Sequence, residues 1–570
     1  MALAMASITT RMRRQSSGLV FNPGPATVVE CVRSPGKAER RFSVATGAGG
    51  KQTLMPAEVE VPEQVQEIEA VSGQPPTEAA SIEEVVEQAQ ESPLESPSEV
   101  FARFLSSDST EQVYSSFGQL LCLCKEAEAD GRIASSTTGQ AAAEDTLVPP
   151  YCRFRGVLGG ALPWRARSVW TLLDTRLHRP EYTAAPLKGK RAVICGAGPC
   201  GIRTALELAM LHADVTVLEK RAPADACGRI NRVHLWEWCK QDLLGWGAKI
   251  FDPPGGAFGG DNDFCHIGLG ELQLLLLKNA LLLGIRFLFL AEAVRVKDGE
   301  LLLSDGRRIP CDTLVLASGA NSQLSESVGL RSVALGLRGK GSAIGVVANF
   351  VHSRDARQMA LRQFAWARQF NMPLFARLEK ETAMDLENIV YYKGQSHHYM
   401  VMTPTKKSLL RAGVLREGRP AGKRLLHGSN VDVQRLGCMV QGIAAFFGLP
   451  TELCSTQGAM IFDFSGIRRL EAAATVVDGD VLVCAVGDSL LEPFWPEGLG
   501  IMRGFMSALD AAAAAVVAAE GGGPEAAVEL LSTTYNVLKS VSAQTASQFL
   551  QKDPRRYRLQ PKSRYVFSHG

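Results

Sequence analysis

The sequence lacks a strong excess of charge of either sign, because 61 Lys and Arg residues face 59 Asp and Glu residues over 570 positions. Such a balance does not favour nucleic acid or an anionic membrane surface as the main partner. The thirteen cysteines include no CxxC pair, so we expect reduced intracellular cysteines and no metal site. The most apolar run, residues 272–294, is interrupted by Lys278, Asn279 and Arg286, so we expect no membrane-spanning segment there.

Two segments of opposite charge precede the more apolar part of the chain. Residues 1–50 hold seven Lys or Arg against two Glu, a composition typical of an organelle transit peptide and also of a disordered basic tail. Residues 52–99 hold twelve Glu and no Lys or Arg, which predicts a disordered acidic linker. We expect a cytoplasmic protein, with organelle import through the basic N-terminus as the alternative.

The patterns that follow predict folded domains. Apolar residues recur at helical spacing in residues 100–127 and 165–182. After Lys190, strand-like and helix-like patterns alternate, which is typical of an α/β domain. The predicted organisation is a basic segment (1–50), an acidic linker (51–97), an N-terminal helical part (98–186), an α/β core (187–520), and a C-terminal helix with a basic tail (521–570).

The most specific pattern lies at residues 190–221. RAVIC predicts a short strand, IRTALELAMLHA predicts a helix, and Gly196, Gly198 and Gly201 form a G-x-G-x-x-G turn between them. Gly196 permits the tight turn, Gly198 lets the backbone approach a pyrophosphate, and Gly201 lets the helix and strand pack closely. A second strand, VTVLE, ends at Glu219, whose carboxylate can accept hydrogen bonds from a ribose 2′-OH. The pattern predicts a dinucleotide-binding unit.

A second signal lies far along the chain, where the strand-like VLVCAV runs into Gly487-Asp488. One Rossmann unit followed by a distant Gly-Asp pair is typical of aromatic-hydroxylase-type flavoproteins, in which the Asp meets the ribityl chain. We therefore predict an α/β fold: a Rossmann-type FAD-binding domain of the aromatic-hydroxylase class, with an inserted β-rich substrate or catalytic subdomain and helical parts at both ends. GDSLLEPFWPEGLGIMRG (487–504) is expected to hold the far end of the flavin.

With both segments in view, the chain resembles the flavin monooxygenase domain of the MICAL family, whose members oxidise actin methionines. The resemblance spans residues 98–520 and is carried by GAGPCGIRTALELA, VLEKR, HIGLGELQLLLLKNALLLGI, DLENIVYYKGQSHHYMVMT and VGDSLLEPFWPEGLGIMRGF. No stretch of this sequence resembles the calponin-homology or LIM regions of the animal members.

The resemblance also implies site residues. Arg229 and Asn231 fall on an Arg-Asn-Asn element beside the flavin, and Ala293 stands where the family has a Phe, so only a backbone contact is expected there. Phe494 and Trp495 match the aromatic wall of the flavin pocket, and we assign them, with Asn231, to the catalytic centre. Together with the glycine turn, the predicted cofactor-binding residues are Gly196, Gly198, Cys200, Gly201, Glu219, Lys220, Arg221, Arg229, Asn231, Ala293, Tyr399 and Asp488.

The resemblance implies an oxidoreductase that uses FAD, NADPH and oxygen to convert methionines of a protein partner, actin or an actin-like protein, to methionine sulfoxide. Hydrogen peroxide is the expected product when turnover is uncoupled. A methionine thioether is a soft nucleophile, so no protein base is required. Two alternatives stay open: a small-molecule aromatic hydroxylase on the same fold, and a flavin-stabilised binding module. The second is raised by Ser318, which replaces the family's Asp in DTLVLASGANSQ.

Overall fold

The structure is a computed structural model that describes residues 96–130, 150–158, 162, 164–251, 265–320, 323–336, 344–394, 396–418, 425–464, 466–493, 498–542 and 544–567. The predicted segments 1–50 and 51–97 lie outside these ranges, apart from Ser96 and Pro97.

The helices of the described residues begin before the predicted α/β core and continue to the C-terminal part. In chain order they are α1 (Pro97–Ser106), α2 (Thr110–Ala129), α3 (Pro150–Leu158), α4 (Trp164–Leu177), α5 (Pro180–Thr183), α6 (Pro199–Met210), α7 (Pro223–Ala226), α8 (Glu237–Leu244), α9 (Leu269–Leu282), α10 (Gln323–Ser327), α11 (Ala356–Met359), α12 (Met372–Thr382), α13 (Lys406–Arg411), α14 (Val433–Phe446), α15 (Gly500–Val517), α16 (Gly523–Leu538) and α17 (Ala546–Phe549).

Within the described ranges, the strands all follow Lys190. In chain order they are β1 (Arg191–Cys195), β2 (Asp214–Glu219), β3 (Arg232–Leu235), β4 (Cys265–Gly268), β5 (Arg286–Phe289), β6 (Ala293–Lys297), β7 (Glu300–Leu303), β8 (Arg308–Pro310), β9 (Thr313–Leu316), β10 (Ser332–Gly336), β11 (Ile344–Val351), β12 (Phe364–Ala367), β13 (Leu386–Lys393), β14 (His397–Pro404), β15 (Ala459–Asp463), β16 (Gly466–Leu470), β17 (Ala474–Val477) and β18 (Val481–Ala485).

Helix α1 begins one residue before the predicted boundary at 98. Ser96 caps it, because the Ser96 side chain accepts a hydrogen bond from the Glu99 N–H while the Glu99 carboxylate accepts one from the Ser96 N–H. At the other end, Lys278 Nζ on α9 donates to the carbonyl oxygens of Leu105 (2.8 Å) and Ser107 (2.7 Å). A cation at the C-terminus of a helix is stabilising, so Lys278 fastens the N-terminal helices to the core.

The central sheet of the described residues has six strands in the order β17-β18-β9-β1-β2-β5. The neighbours from β18 to β5 run parallel, and β17 is an antiparallel edge strand. Strands such as VLVCA and TLVL are buried along their whole length, as expected for a parallel sheet covered on both faces. This arrangement confirms the predicted Rossmann-type α/β fold.

The predicted β-rich subdomain is also confirmed as an insertion between β9 and β17. In the described part of the chain it is an antiparallel sheet in the order β12-β13-β14-β11-β15. One face packs against α12 and α14 through residues such as Val346, Phe350 and Met400. The opposite face carries a smaller cluster that includes Tyr399.

The predicted C-terminal helix corresponds to α16, and residues of the basic segment that follows it are buried. The helical segment Gly500–Leu538 is long and apolar enough to cross a membrane, but 83% of its most apolar window is buried inside the protein. Asp510 of α15 pairs with Arg564 and accepts a hydrogen bond from the Tyr565 hydroxyl (2.6 Å), and all three residues are buried. The basic segment is thus folded onto α15, because a buried carboxylate requires a cationic partner.

Candidate functional site at the carboxyl edge of the central sheet

Several of the predicted site residues, among them the glycine turn, Glu219 and Asp488, lie where the parallel strands of the central sheet end. Strands β1, β2, β9 and β18 end at Cys195, Glu219, Leu316 and Ala485, at the same edge of the sheet. The glycine turn, the Ser318 turn and the Gly487-Asp488 turn follow three of these strands directly. Open α/β sheets bind ligands in the crevice outside this edge.

The three glycines of the first turn have different surroundings. Gly196 has a φ of +118°, and a Cβ built there would lie 2.4 Å from the Ala317 carbonyl oxygen. A Cβ at Gly201 would lie 2.0 Å from the Gly196 carbonyl oxygen, so both positions are closed by backbone packing. A Cβ at Gly198 would have no protein atom within 4 Å. Gly198 is the N-cap of α6, so there is open space beside the start of this helix, as phosphate binding there requires.

The Glu219 carboxylate accepts several hydrogen bonds from the protein itself, in addition to its predicted role with a ribose hydroxyl. This buried carboxylate accepts hydrogen bonds from the Ala197 N–H (3.1 Å) and from the Arg221 side chain (Nε 2.8 Å, Nη2 3.0 Å) and backbone N–H (3.0 Å). Burial raises the pKa of Glu219, but the bonds from Arg221 and Ala197 outweigh it and hold the pKa below the usual value. Glu219 therefore connects the glycine turn to Arg221, while Lys220 is exposed and makes only a 3.8 Å contact with Glu292.

Cys200 lies where three segments of the site meet. A Cβ at Gly504 of α15 would lie 2.2 Å from Cys200 Sγ, and one at Gly487 would lie 2.9 Å from it. The Gly487 N–H donates to Ser507 Oγ (3.0 Å), which donates in turn to the Gly504 carbonyl oxygen (2.7 Å). Burial raises the pKa of the Cys200 thiol strongly, so the side chain is a neutral packing group. Only its backbone N–H, in the first turn of α6, remains suited to a cofactor.

Asp488 faces a cleft enclosed by protein. Its side chain is accessible to water, but the surrounding protein atoms still desolvate it and raise its pKa to about 6, with a further increase from Glu492 and an opposing effect from Arg229. The electrostatic interaction with Arg229 shows that the predicted flavin loop and the Gly-Asp turn approach each other. Ser489 was not predicted; its hydroxyl donates to the Gly319 carbonyl oxygen (3.0 Å) and fixes the turn that carries the exposed Ser318.

The loop that contains Arg229 and Asn231 is held by the first residues of α9. The Gly270 N–H donates to the Arg229 carbonyl oxygen (2.9 Å), and the Leu269 N–H donates to the Asn231 carbonyl oxygen (2.7 Å). A Cβ at Gly270 would lie 3.0 Å from the Arg229 carbonyl oxygen, which explains the glycine in HIGLGEL. The loop therefore uses its carbonyl groups for packing and leaves its side chains half-buried or exposed.

Tyr399 is buried on β14, on the face of the inserted sheet that is not covered by α12 and α14. Its ring stacks on that of Tyr392 at 6.1 Å, and Tyr392 contacts His266 at 4.3 Å. Burial raises the pKa of Tyr399 strongly, so its hydroxyl stays protonated. Burial likewise lowers the pKa of His234, whose ring contacts that of His266, to about 4, so this histidine is neutral at physiological pH and only a weak base.

Three predicted residues remain: Ala293, Phe494 and Trp495. Ala293 is half-buried at the start of β6, four residues after Phe289, which pairs with Glu219 across β2 and β5. Phe494 and Trp495 lie outside the described residues. Gly498, beyond them, is anchored because its carbonyl oxygen accepts a hydrogen bond from Trp236 Nε1 (3.2 Å).

The chemistry of these groups fits FAD. The open start of α6 at Gly198 suits a pyrophosphate, and the exposed carboxylate of Asp488 suits the hydroxyls of a ribityl chain. Within the described ranges, no group of three or more His, Cys, Asp or Glu side chains has the arrangement of a metal site. The strand order, the glycine turn and the Gly-Asp turn define a Rossmann-type FAD-binding fold.

Comparison with known proteins shows which family this chain resembles. Residues 342–460, which form most of the inserted β-rich subdomain, match the family model described as "Mical, Rossman domain". The chain is 36% identical over 455 residues to "[F-actin]-monooxygenase MICAL1" of Rattus norvegicus, covering 73% of this chain and 41% of the relative. It is 35% identical over 495 residues to the Homo sapiens protein of the same name, covering 82% and 42%. Over these regions the chain is similar to members of the MICAL family.

Further relatives and solved structures extend the comparison. "Protein-methionine sulfoxide oxidase mical3a" of Danio rerio is 36% identical over 436 residues, covering 70% of this chain and 21% of the relative. The chain thus spans less than half the length of these curated relatives. The solved structure of 2-methyl-3-hydroxypyridine-5-carboxylic acid oxygenase aligns with a TM-score of 0.41 at 17% identity, covering 63% of this chain and 92% of the other. The aromatic hydroxylase CabE aligns with a TM-score of 0.43 at 15% identity, covering 61% and 66%.

Proposed function

We propose that this protein is an FAD-dependent monooxygenase that uses NADPH and oxygen to convert methionine side chains of a protein substrate, actin or an actin-like protein, to methionine sulfoxide. The observation that carries the proposal is that the turn holding Gly198 and Cys200 packs beside the Gly487-Asp488 turn at one edge of the sheet, with Arg229 close enough to Asp488 to lower its pKa. It is joined by 35–36% identity to relatives named F-actin monooxygenases and protein-methionine sulfoxide oxidase. Hydrogen peroxide is the proposed product in the absence of substrate.

Each group of residues has a separate task in this proposal. The first turn of α6 binds the pyrophosphate through backbone amides, and Arg221, oriented by Glu219, lies at the adenosine end. Asp488 accepts hydrogen bonds from the ribityl chain, and the N-terminus of α15 favours negative charge at the far end of the crevice. Bound FAD would supply the oxygen-activating chemistry, with NADPH as the proposed reductant.

The protein's contribution to the oxidation step is positioning and exclusion of water. A thioether needs no deprotonation before it attacks an electrophilic oxygen. The lowered pKa of His234 makes this residue a weak base, so it is not needed for the step. In this proposal, one wall of the flavin site is the face of the inserted sheet that carries buried Tyr399 and is not covered by α12 and α14. Ser318 is exposed at the same edge and carries no charge where the family has an Asp, so we propose slower use of NADPH.

The free thiols of the twelve described cysteines support a reducing compartment, and we propose that the protein acts in the cytoplasm.

The test is a reaction of the purified protein with NADPH and filamentous actin. We expect yellow protein, NADPH consumption that rises when actin is added, and a mass increase of one oxygen on actin methionines. A matched reaction with added catalase controls for oxidation by free peroxide, and the Gly198→Val variant controls for oxidation that does not depend on bound flavin. Consumption stimulated only by small aromatic compounds would replace this proposal with a small-molecule hydroxylase, and flavin without any NADPH consumption would favour a binding module.

A further inference from the structure

One turn of the inserted subdomain is held unusually firmly. Asn349 on β11 is fully buried and binds this turn at three points. Its N–H donates to the Gly458 carbonyl oxygen (2.8 Å), its carbonyl oxygen accepts from the Cys454 N–H (3.0 Å), and its Nδ2 donates to the Gln457 carbonyl oxygen (2.7 Å). A Cβ at Gly458 would lie 2.5 Å from the Cys454 carbonyl oxygen, so the turn is closed tightly.

Gln457, within this turn, has a backbone conformation that L-residues rarely adopt, with a φ of +53°. Its side chain leaves the inserted subdomain and reaches the loop before β3. Nε2 donates to the Gly228 carbonyl oxygen (2.9 Å), and Oε1 accepts from the Ile230 N–H (3.4 Å). One amide thus binds both sides of Arg229 through backbone groups, in the manner of a neighbouring strand.

The loop that Gln457 grips is the one that carries Arg229 and Asn231. On its other side the same loop is bound by the first amides of α9. Asn349, which fixes the turn, lies directly opposite Tyr399 in the pairing of β11 with β14. A continuous set of hydrogen bonds and strand pairing therefore joins Tyr399 in the inserted sheet to Arg229 beside the Gly-Asp turn.

We propose that Gln457 is a positioning residue that fixes the Arg229–Asn231 loop relative to the inserted subdomain and so sets the environment of the flavin ring. This inference rests on the proposed FAD site. Gln457 does not contact the reacting atoms; it acts through the backbone of Gly228 and Ile230. Gln457 combines an unfavourable φ with a two-point contact to a distant loop. Such strain is tolerated only where surrounding contacts hold the residue in place, which supports a positioning role.

Two substitutions separate positioning from a purely conformational role. Gln457→Ala removes the side-chain contacts and keeps the unfavourable φ, whereas Gln457→Gly removes the contacts and relieves the φ. The matched control is Gln441→Ala, since Gln441 Nε2 makes a side-chain bond of similar length to the Thr451 carbonyl oxygen (3.0 Å) inside the same subdomain.

The measurements are the visible absorption spectrum of the bound flavin, the FAD dissociation constant and the midpoint of thermal unfolding. We expect both Gln457 variants to shift the flavin spectrum and to weaken FAD binding about fivefold to tenfold, the effect of losing one hydrogen-bonded contact. Gln457→Gly should keep the wild-type unfolding midpoint, Gln457→Ala should lower it, and Gln441→Ala should match the wild type in spectrum and affinity.

A Gln457→Gly variant with wild-type spectrum and affinity would overturn the positioning role, as would flavin effects confined to Gln457→Ala, which would assign them to backbone strain. Those outcomes leave the proposed function intact, because wild-type protein would still bind FAD and oxidise methionine. Wild-type protein that takes up no FAD would overturn both proposals together.

Discussion

The close approach of Gly504 to Cys200 Sγ allows a prediction about stability. The sign of the stability change on Gly504→Ala should depend on whether the sulfur is present. Gly504→Ala places a Cβ 2.2 Å from Cys200 Sγ, and the next nearest atom is the Gly487 Cα at 3.5 Å. Overpacking of this kind costs about 1–3 kcal/mol. Replacing glycine by alanine inside a helix returns about 1 kcal/mol. The single substitution should therefore destabilise the protein by roughly 0–2 kcal/mol.

The effect should reverse when the sulfur is absent. In a Cys200→Ala background the Sγ is removed, and the atoms that remain at 3.5 Å and 3.6 Å from the new Cβ are at ordinary contact distance. Only the helix preference is left, so Gly504→Ala should now stabilise by about 1 kcal/mol. The coupling between the two positions is therefore about 1–3 kcal/mol, within the range measured for residues in contact.

The assay is thermal unfolding followed by circular dichroism at one scan rate, for the wild type, both single variants and the double variant. Cys195→Ala is the control background, since Cys195 is buried nearby in sequence but is not among the nearest atoms to Gly504. Cys200→Ala should also keep bound FAD, because the expected contact is through the backbone N–H. A fall in the unfolding midpoint on Gly504→Ala that is equal in every background would refute the packing argument.

Three further predictions concern the site and the C-terminal segment. Gly198→Val should give folded but colourless protein, because its Cβ meets no protein atom within 4 Å and its φ of −70° suits valine; normal flavin content would remove Gly198 from the site. The pKa of Asp488 is raised from 3.8 to about 6, so ligand-free protein should lose stability as pH rises through that window. Asp488→Asn should abolish this loss, and parallel melting curves for the two proteins across the window would contradict it. Arg564→Met leaves the Asp510 carboxylate buried without its cation and should cost about 3–5 kcal/mol, largely recovered by adding Asp510→Asn; an unchanged unfolding midpoint in Arg564→Met would show that the pair contributes little.

The parts of the site that sequence predicts well are those whose chemistry is local. The glycine turn is readable because Gly196 and Gly201 are required by backbone contacts within one strand–turn–helix unit. The Gly487-Asp488 turn is readable because it follows an apolar strand. In both cases a few adjacent residues contain the whole physical requirement.

The parts that sequence misses depend on contacts between distant segments. Gln457 meets Gly228 across 229 positions, and nothing in the pattern of either segment marks the other. Arg564 reads as one of several basic residues in a tail, because its buried partner Asp510 sits in a helix that reads as alanine-rich. Arg221 is only two residues from Glu219 in the sequence, yet the hydrogen bonds between them depend on the geometry of the turn after β2.

The strand order has a consequence for how the protein is made. Strand β18 lies next to β9 in the sheet, yet it is synthesised after the whole inserted subdomain. In the proposed FAD site, a nascent chain that has passed Glu219 already contains the glycine turn, but Asp488, the proposed partner of the ribityl chain, emerges only after the inserted subdomain, and Arg564 emerges after its partner Asp510. The sheet edge and the buried Asp510–Arg564 pair can therefore be completed only late in synthesis, so we expect stable FAD binding only once the whole chain has emerged.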